Sequence, residues 1–216
     1  MILSTDKARD LMRNAHIPLV DRLVITPILE WERQAKPGNC TIDLRLGQRL
    51  RVPRRTKLDC LDHLSDDYPR NIGRYKDDHH VFIGDYFVLH PRQFVLGETL
   101  EWIHLPRSLG AYVIGRSSWG RDGLVIATAT GVHAGYSGVL TLEITNLGEI
   151  PVRLYPGLCI AQLFIHTVLH DKGVKPALSR FAGATSPESA DAAADEKDII
   201  KRLAVLRGLV APKPSE

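Results

Sequence analysis

The chain has 216 residues, 44% apolar and 25% charged, an ordinary globular composition with enough apolar side chains for a sizeable core. Its mild net charge of +3 suits an anionic metabolite as easily as nucleic acid, but no Lys/Arg run exceeds two residues, which weakens the nucleic-acid reading. Cys40, Cys60 and Cys159 form no C-x-x-C pair, and no apolar run reaches the length of about 18 residues that spans a bilayer, so a reducing, cytoplasmic setting without membrane contact is expected.

The start predicts a short helix. Ser4 or Thr5 can cap it, Asp6 suits its first turn, and Ala8, Leu11 and Met12 make an apolar stripe. A strand at Val24–Thr26 stops at Pro27. Residues 41–47, TIDLRLG, alternate strictly. Ile42, Leu44 and Leu46 face one way, Asp43 and Arg45 the other, and Gly47 is expected to close the strand. From 58 to 78 the chain is polar and reads as a long loop.

Strand-like runs then recur at 80–84, 86–90, 94–105, 110–115, 124–128, 139–146, 152–155 and 159–168, with Gly or Pro in nearly every gap. Many short strands with regular turn signals predict an all-β barrel or sandwich. After 170 the composition turns small and acidic. We therefore expect one domain over 1–170, a tail or linker over 171–196, and an amphipathic helix from 197 to about 210 in the final piece, 197–216. Ile199, Ile200, Leu203, Leu206 and Val210 lie near one face of that helix.

The chemistry-bearing letters cluster in RSSWGRDGLVIATATGVHAGYSG, residues 116–138, with Glu143 just beyond. Ser117 is placed to cap a turn starting at Ser118, and Arg116 and Arg121 add cations, so the segment suits phosphate. It equally suits a plain strand-to-turn junction. Alternation puts Glu143 on a strand face with Val139, Thr141 and Thr145, where it is either an exposed glutamate or a proton acceptor for water. GVHAGYSG reads as a tight hairpin with Tyr136 at its tip, either capping the fold or packing under a sugar. The nine histidines form no metal pattern, and the H-x-E/P-C-x-x-C zinc deaminase signature is absent.

Taken in order, TIDLRLG, FVLHPRQFVLGETLEWIHLP, GRSSWGRDGL and ATATGVHAGYSGVLTLEITNLGEIPVRLYPGLCIAQLFI resemble the dCTP deaminases, over about residues 1–185. The trimeric dUTPases share the fold and the GRSS segment. The resemblance implies a distorted β-barrel of the dUTPase-like β-clip type, with a short N-terminal helix and an appended C-terminal one. It also implies a homotrimer with interfacial sites, and magnesium carried on the nucleotide triphosphate. On that resemblance Glu143, Ser117 and Arg121 are catalytic. Arg116 and Ser118 meet phosphate, the Ala129 backbone meets the base, and Tyr136 packs on deoxyribose.

Two departures stand out. His133 occupies the position where relatives carry an aspartate that serves dUTP hydrolysis, and a neutral imidazole hydrogen-bonds a hydroxyl but is a poor substitute for that carboxylate. The tail offers Arg180 and Phe181, but Ala182 and Ala184 where lid amides are expected. The reading is dCTP deamination to dUTP and ammonia. The alternatives are a dUTP diphosphatase or bifunctional deaminase–dUTPase, and a non-catalytic nucleotide-binding homologue.

Overall fold

A computed structural model describes residues 1–54, 57, 60, 62, 75–128, 130–169, 183–187 and 197–206. The chain divides into two compact units, Met1–Val52 with Asp78–Glu188 and Pro53–Asp77 with Ser189–Glu216.

The first unit opens on α1 (Thr5–Arg13), capped by Ser4, whose hydroxyl accepts from the Lys7 N–H at 3.2 Å. Thr5 is buried and donates to the Lys36 carbonyl at 2.7 Å, so the helix start is tied to the chain that enters the sheet. A 3-10 turn (Leu19–Asp21), β1 (Val24–Thr26) and the short α2 (Trp31–Gln34) follow. Then come β2 (Ile42–Pro53), β3 (Lys76–His80), β4 (Phe87–Leu89), β5 (Phe94–His104), β6 (Leu109–Gly115), α3 (Ser117–Arg121), β7 (Leu124–Ile126), β8 (Gly131–Val132), β9 (Ser137–Asn146), β10 (Val152–Leu154) and β11 (Cys159–Thr167).

The all-β expectation holds. Among the described residues the main sheet runs β7-β9-β5-β2-β11-β6-β8, with β1 added on β5 and β3 on β2, and β10 pairs with β4. Every pairing for which a register is resolved is antiparallel. β2 is the hinge of the arrangement: residues 42–45 pair with β11, and residues 46–51 pair with β5, with a register shift between Leu46 and Leu50. Gly47 sits at that switch. It does not end the strand as expected, because its role is clearance: a Cβ there would lie 2.5 Å from Glu98 Cγ.

The core comes from alternation. β9 buries Leu140, Leu142 and Ile144 and leaves Val139, Thr141, Glu143 and Thr145 half-buried, as the sequence predicts. Leu44, Leu46, Val95, Ile103, Leu105, Ile160 and Leu163 are among the other buried side chains of the interior. Burying each such side chain stabilises the fold by about 1.5–3 kcal/mol.

Three sequence expectations need correction. The run 80–84 is not a strand; the hydrogen-bonded piece is the charged stretch Lys76–His80, because its backbone faces β2 whatever its side chains prefer. GVHAGYSG is not a simple β7–β9 hairpin, since β8 within it pairs with β6. The strictly alternating, half-buried pattern breaks at Arg45, which is buried like its neighbours Leu44 and Leu46, 7% exposed and bound to Glu101.

In the second unit Arg54 pairs with Asp77 at 3.2 Å and its N–H donates to the Tyr75 carbonyl. The expected C-terminal helix is present as α4 (Lys197–Leu206), with Ile199 and Leu203 about half exposed. The linker expected over 171–196 and the helix end beyond 206 lie largely outside the described residues. No helix among the described residues is long and apolar enough to cross a membrane.

Candidate active site

β6 delivers the GRSS segment at its end. The Arg116 N–H donates to the Ile160 carbonyl at 3.0 Å, and α3 follows at once. The N-cap is Arg116, with no side-chain cap bond, so the cap expected from Ser117 is not made; Ser117 is already the first helical residue. The turn after α3 closes on Gly123, at φ +86°, where an added Cβ would sit 2.6 Å from the Gly148 nitrogen. That approach brings α3 and β7 against the turn that follows β9.

Beside α3 lies a cavity of about 650 Å³. Arg116, Ser118 and Trp119 line it from α3 and its cap, Asp43 and Arg45 from β2, and Glu30, Arg33, Gln34 and Lys36 from α2 and its flanks. Arg116 is fixed there: its Nη1 donates to the Cys159 carbonyl at 3.3 Å and lies 3.5 Å from Asp43 Oδ2. The Trp119 indole donates to the same carbonyl at 2.9 Å. Burial first, then the Asp43 carboxylate, push the Cys159 thiol up from its ordinary pKa, which keeps it protonated and unreactive near neutral pH.

The cavity floor is a buried polar network. The Glu101 carboxylate, fully buried, accepts from the Arg45 N–H at 2.8 Å, Arg45 Nε at 2.6 Å and Gln34 Nε2 at 2.9 Å. Arg45 Nη2 also donates to the Pro27 carbonyl, and Gln34 Nε2 to the Asp43 carbonyl at 3.2 Å. Sequence reasoning missed this set. A signal was present, since Arg45 and Glu101 are opposite charges embedded in two apolar strand runs.

The other predicted residues fall elsewhere. Glu143 is half-buried on β9. Its N–H donates to Thr128 Oγ1 and its carbonyl accepts from the Ala127 N–H, both at 2.8 Å. It does not line the cavity, and among the described residues no hydrogen bond or ion pair joins its carboxylate to Ser117 or Arg121, both exposed. His133 is exposed. Tyr136 is 6% exposed, part of the core, with its hydroxyl donating to the Val139 carbonyl. One chain thus brings Arg116 and Ser118 together on the cavity and holds Glu143 apart from it. Ala129, Arg180 and Phe181 lie outside the described residues.

A short strap, residues 183–187, lies along the start of β9. Ala184 bridges Gly138 in parallel, and the Val139 N–H donates to the Ala184 carbonyl at 2.9 Å. Arg49 Nη1 donates to the Thr185 carbonyl at 2.7 Å. Arg49 also faces Glu98, a buried carboxyl whose Oε2 has no partner among the described residues. Burial pushes the Glu98 pKa up, against the Arg49 charge and the Arg49 and Gln48 N–H groups, which lower it.

A curled antiparallel sheet in which one long strand serves both halves, with a polar cavity of mixed charge beside the turn after β6, is a protein of the dUTPase-like fold class. The solved 2′-deoxycytidine 5′-triphosphate deaminase from Agrobacterium tumefaciens has this fold, with a TM-score of 0.56 at 22% identity over 76% of this chain and 48% of that one. This chain therefore spans about half the length of that protein. The sequence profile of the family described as dCTP deaminase-like matches residues 2–168, and the chain belongs to that family. Among curated relatives it is 42% identical to a dCTP deaminase of Halorubrum lacusprofundi, over 71% of this chain and 73% of that one. It is 40% identical to the dCTP deaminase of Natronomonas pharaonis, over 77% and 85%. It is 35% identical to a "dCTP deaminase, dUMP-forming" of Methanothermobacter thermautotrophicus, over 77% and 84%.

Proposed function

We propose that this protein hydrolytically deaminates dCTP to dUTP and ammonia, at a site completed between copies of the chain in a homotrimer. The observation that carries the reading is the joint presence of Ser117, Arg121 and Glu143 in a chain whose cavity is lined by Arg116 and Ser118. Membership of the dCTP deaminase-like family supports it. The separation of Glu143 from that cavity within one chain supports an interfacial site, as does the exposed apolar pair Tyr112 and Ile114 on the outer side of β6.

In this reading the triphosphate lies against Arg116 and Ser118, the Ala129 backbone meets the base, and Tyr136, although largely buried in the core, lies under the deoxyribose. Glu143 takes a proton from water as its oxygen adds to the cytosine C4 position, and returns it to the amino group that leaves as ammonia. Ser117 and Arg121 orient the water and offset the charge that develops. Magnesium would travel with the triphosphate, held through the phosphate oxygens, and would partly neutralise it. Arg180 and Phe181 contribute from the tail. We place the reaction in the cytoplasm, with no zinc, membrane or nucleic acid required.

The test is incubation of the assembled protein with dCTP and magnesium, followed by separation of the nucleotides. dUTP is the expected product. Glu143→Gln should retain nucleotide binding and lose turnover by a factor of about 10²–10⁴, the usual worth of a general base. No dUTP at high protein concentration, with a folded trimer confirmed by light scattering, would sink the proposal in favour of a nucleotide-binding homologue. Relatives with the dUMP-forming name motivate the second reading. His133, where those chemistries call on a carboxylate, argues that pyrophosphate release from dUTP will be slow or absent here; a rate matching deamination would overturn that.

A further inference from the structure

We propose that Asp43 is a positioning residue that holds Arg116 in its anion-binding direction, so that a carboxylate beside the phosphate site strengthens phosphate binding. The inference rests on the assignment of Arg116 to phosphate made above. Asp43 is clamped from three sides. Its Oδ1 accepts from Gln162 Nε2 at 2.9 Å, and its carbonyl accepts from Gln34 Nε2 at 3.2 Å. Its Oδ2 faces Arg116 Nη1 at 3.5 Å, with only 14% of the Asp43 side chain exposed. Gln34 is itself held by the buried Glu101 carboxylate. The placement of Arg116 therefore traces back through Asp43 and Gln34 to the fully buried Glu101 carboxylate.

Arg116 needs that support. It is about one-third exposed, it caps a five-residue helix, and among the described residues its side chain donates one hydrogen bond, to the Cys159 carbonyl at 3.3 Å. A long side chain held by one neutral acceptor retains rotamer freedom, which an anion would have to remove on binding. Asp43 removes it in advance. Trp119, bonded to the same carbonyl, closes the other side of the guanidinium's acceptor.

The proposal is testable by sign. A carboxylate next to an anion site repels the anion, so simple Coulomb reasoning says Asp43→Asn should tighten phosphate binding. Positioning says the opposite. The full chain in its native assembly is titrated by calorimetry with dCTP and with inorganic tripolyphosphate. For Asp43→Asn we expect about 5- to 20-fold weaker binding of both, and a raised KM for dCTP with kcat changed less than twofold, the range of 1–2 kcal/mol that each tenfold of 1.4 kcal/mol implies. Asp122→Asn removes another cavity carboxylate, one that forms no ion pair or hydrogen bond with the Arg116 side chain among the described residues, and serves as the charge control. It should bind tripolyphosphate as tightly as the unmodified protein or more so.

Unchanged or tighter binding in Asp43→Asn overturns the proposal, and so does equal weakening in both variants. If Asp43→Asn does not fold, as judged by its melting temperature, Gln162→Leu carries the test. It releases Asp43 without changing charge and should weaken tripolyphosphate binding in the same direction; no weakening overturns the proposal. Tripolyphosphate also separates the two claims. Binding without dCTP turnover refutes the deaminase assignment and leaves the role of Asp43 standing, whereas no binding by the unmodified protein refutes the role of Asp43.

Discussion

Replacing Glu101 by leucine attacks the network under the cavity. The substitution leaves the Arg45 N–H, the Arg45 Nε and Gln34 Nε2 without their acceptor, and Arg45 is 7% exposed. Bonds to a charged group contribute about 1.5–3 kcal/mol each, while removing one partner of a buried pair costs about 3–5 kcal/mol in all. Arg45 keeps its bond to the Pro27 carbonyl, which argues for the smaller total. We expect Glu101→Leu to cost about 3–5 kcal/mol, and to lower Tm by about 10 °C for a chain of this size. The assay is urea unfolding at one fixed protein concentration, since an oligomer's stability depends on it. The double variant Arg45→Met/Glu101→Leu removes the stranded charge and should recover about 2 kcal/mol. A single-variant cost under about 1 kcal/mol, or a double variant less stable than Glu101→Leu alone, would refute the reasoning.

Two further outcomes follow from the strap and its surroundings. Glu98 holds its proton more tightly in the folded protein, so its stabilising contribution is fully present below the ordinary carboxylate range and is lost as pH rises through its raised value. Glu98→Gln should therefore gain stability relative to the unmodified protein between about pH 4 and pH 7; equal differences in melting temperature at both ends would contradict this. Gly138 has φ +148°, and a Cβ there would lie 2.8 Å from the Ala184 carbonyl oxygen and 2.9 Å from its nitrogen. Gly138→Ala should cost about 1–3 kcal/mol and speed proteolysis around residues 183–187; an unaltered cleavage rate would show that the strap does not depend on this approach.

The amino-acid sequence by itself determined what depends on near neighbours. Ser4 caps α1 because a hydroxyl ahead of an apolar stripe has an N–H within reach. β9 buries Leu140, Leu142 and Ile144 and keeps Glu143 off the core face because side chains alternate along a strand. The order of the motifs was enough to indicate the family, because each is a local string.

Tertiary structure decided whatever rests on partners far along the chain. Gly47 looks like a strand end until Glu98, from another strand, is seen lying across it. Arg45 reads as the polar face of a half-buried strand until Glu101, 56 residues away, turns a charged position into a buried one. Asp43 becomes interesting only when β11 brings Gln162 and the turn after β6 brings Arg116 to its two oxygens. Tyr136 reads as a hairpin tip and is instead core, because β8 leaves the hairpin to pair with β6. Periodicity records which face a residue takes, whereas strand pairing determines what waits on that face, and a buried charge is tolerated only where pairing supplies its counterpart.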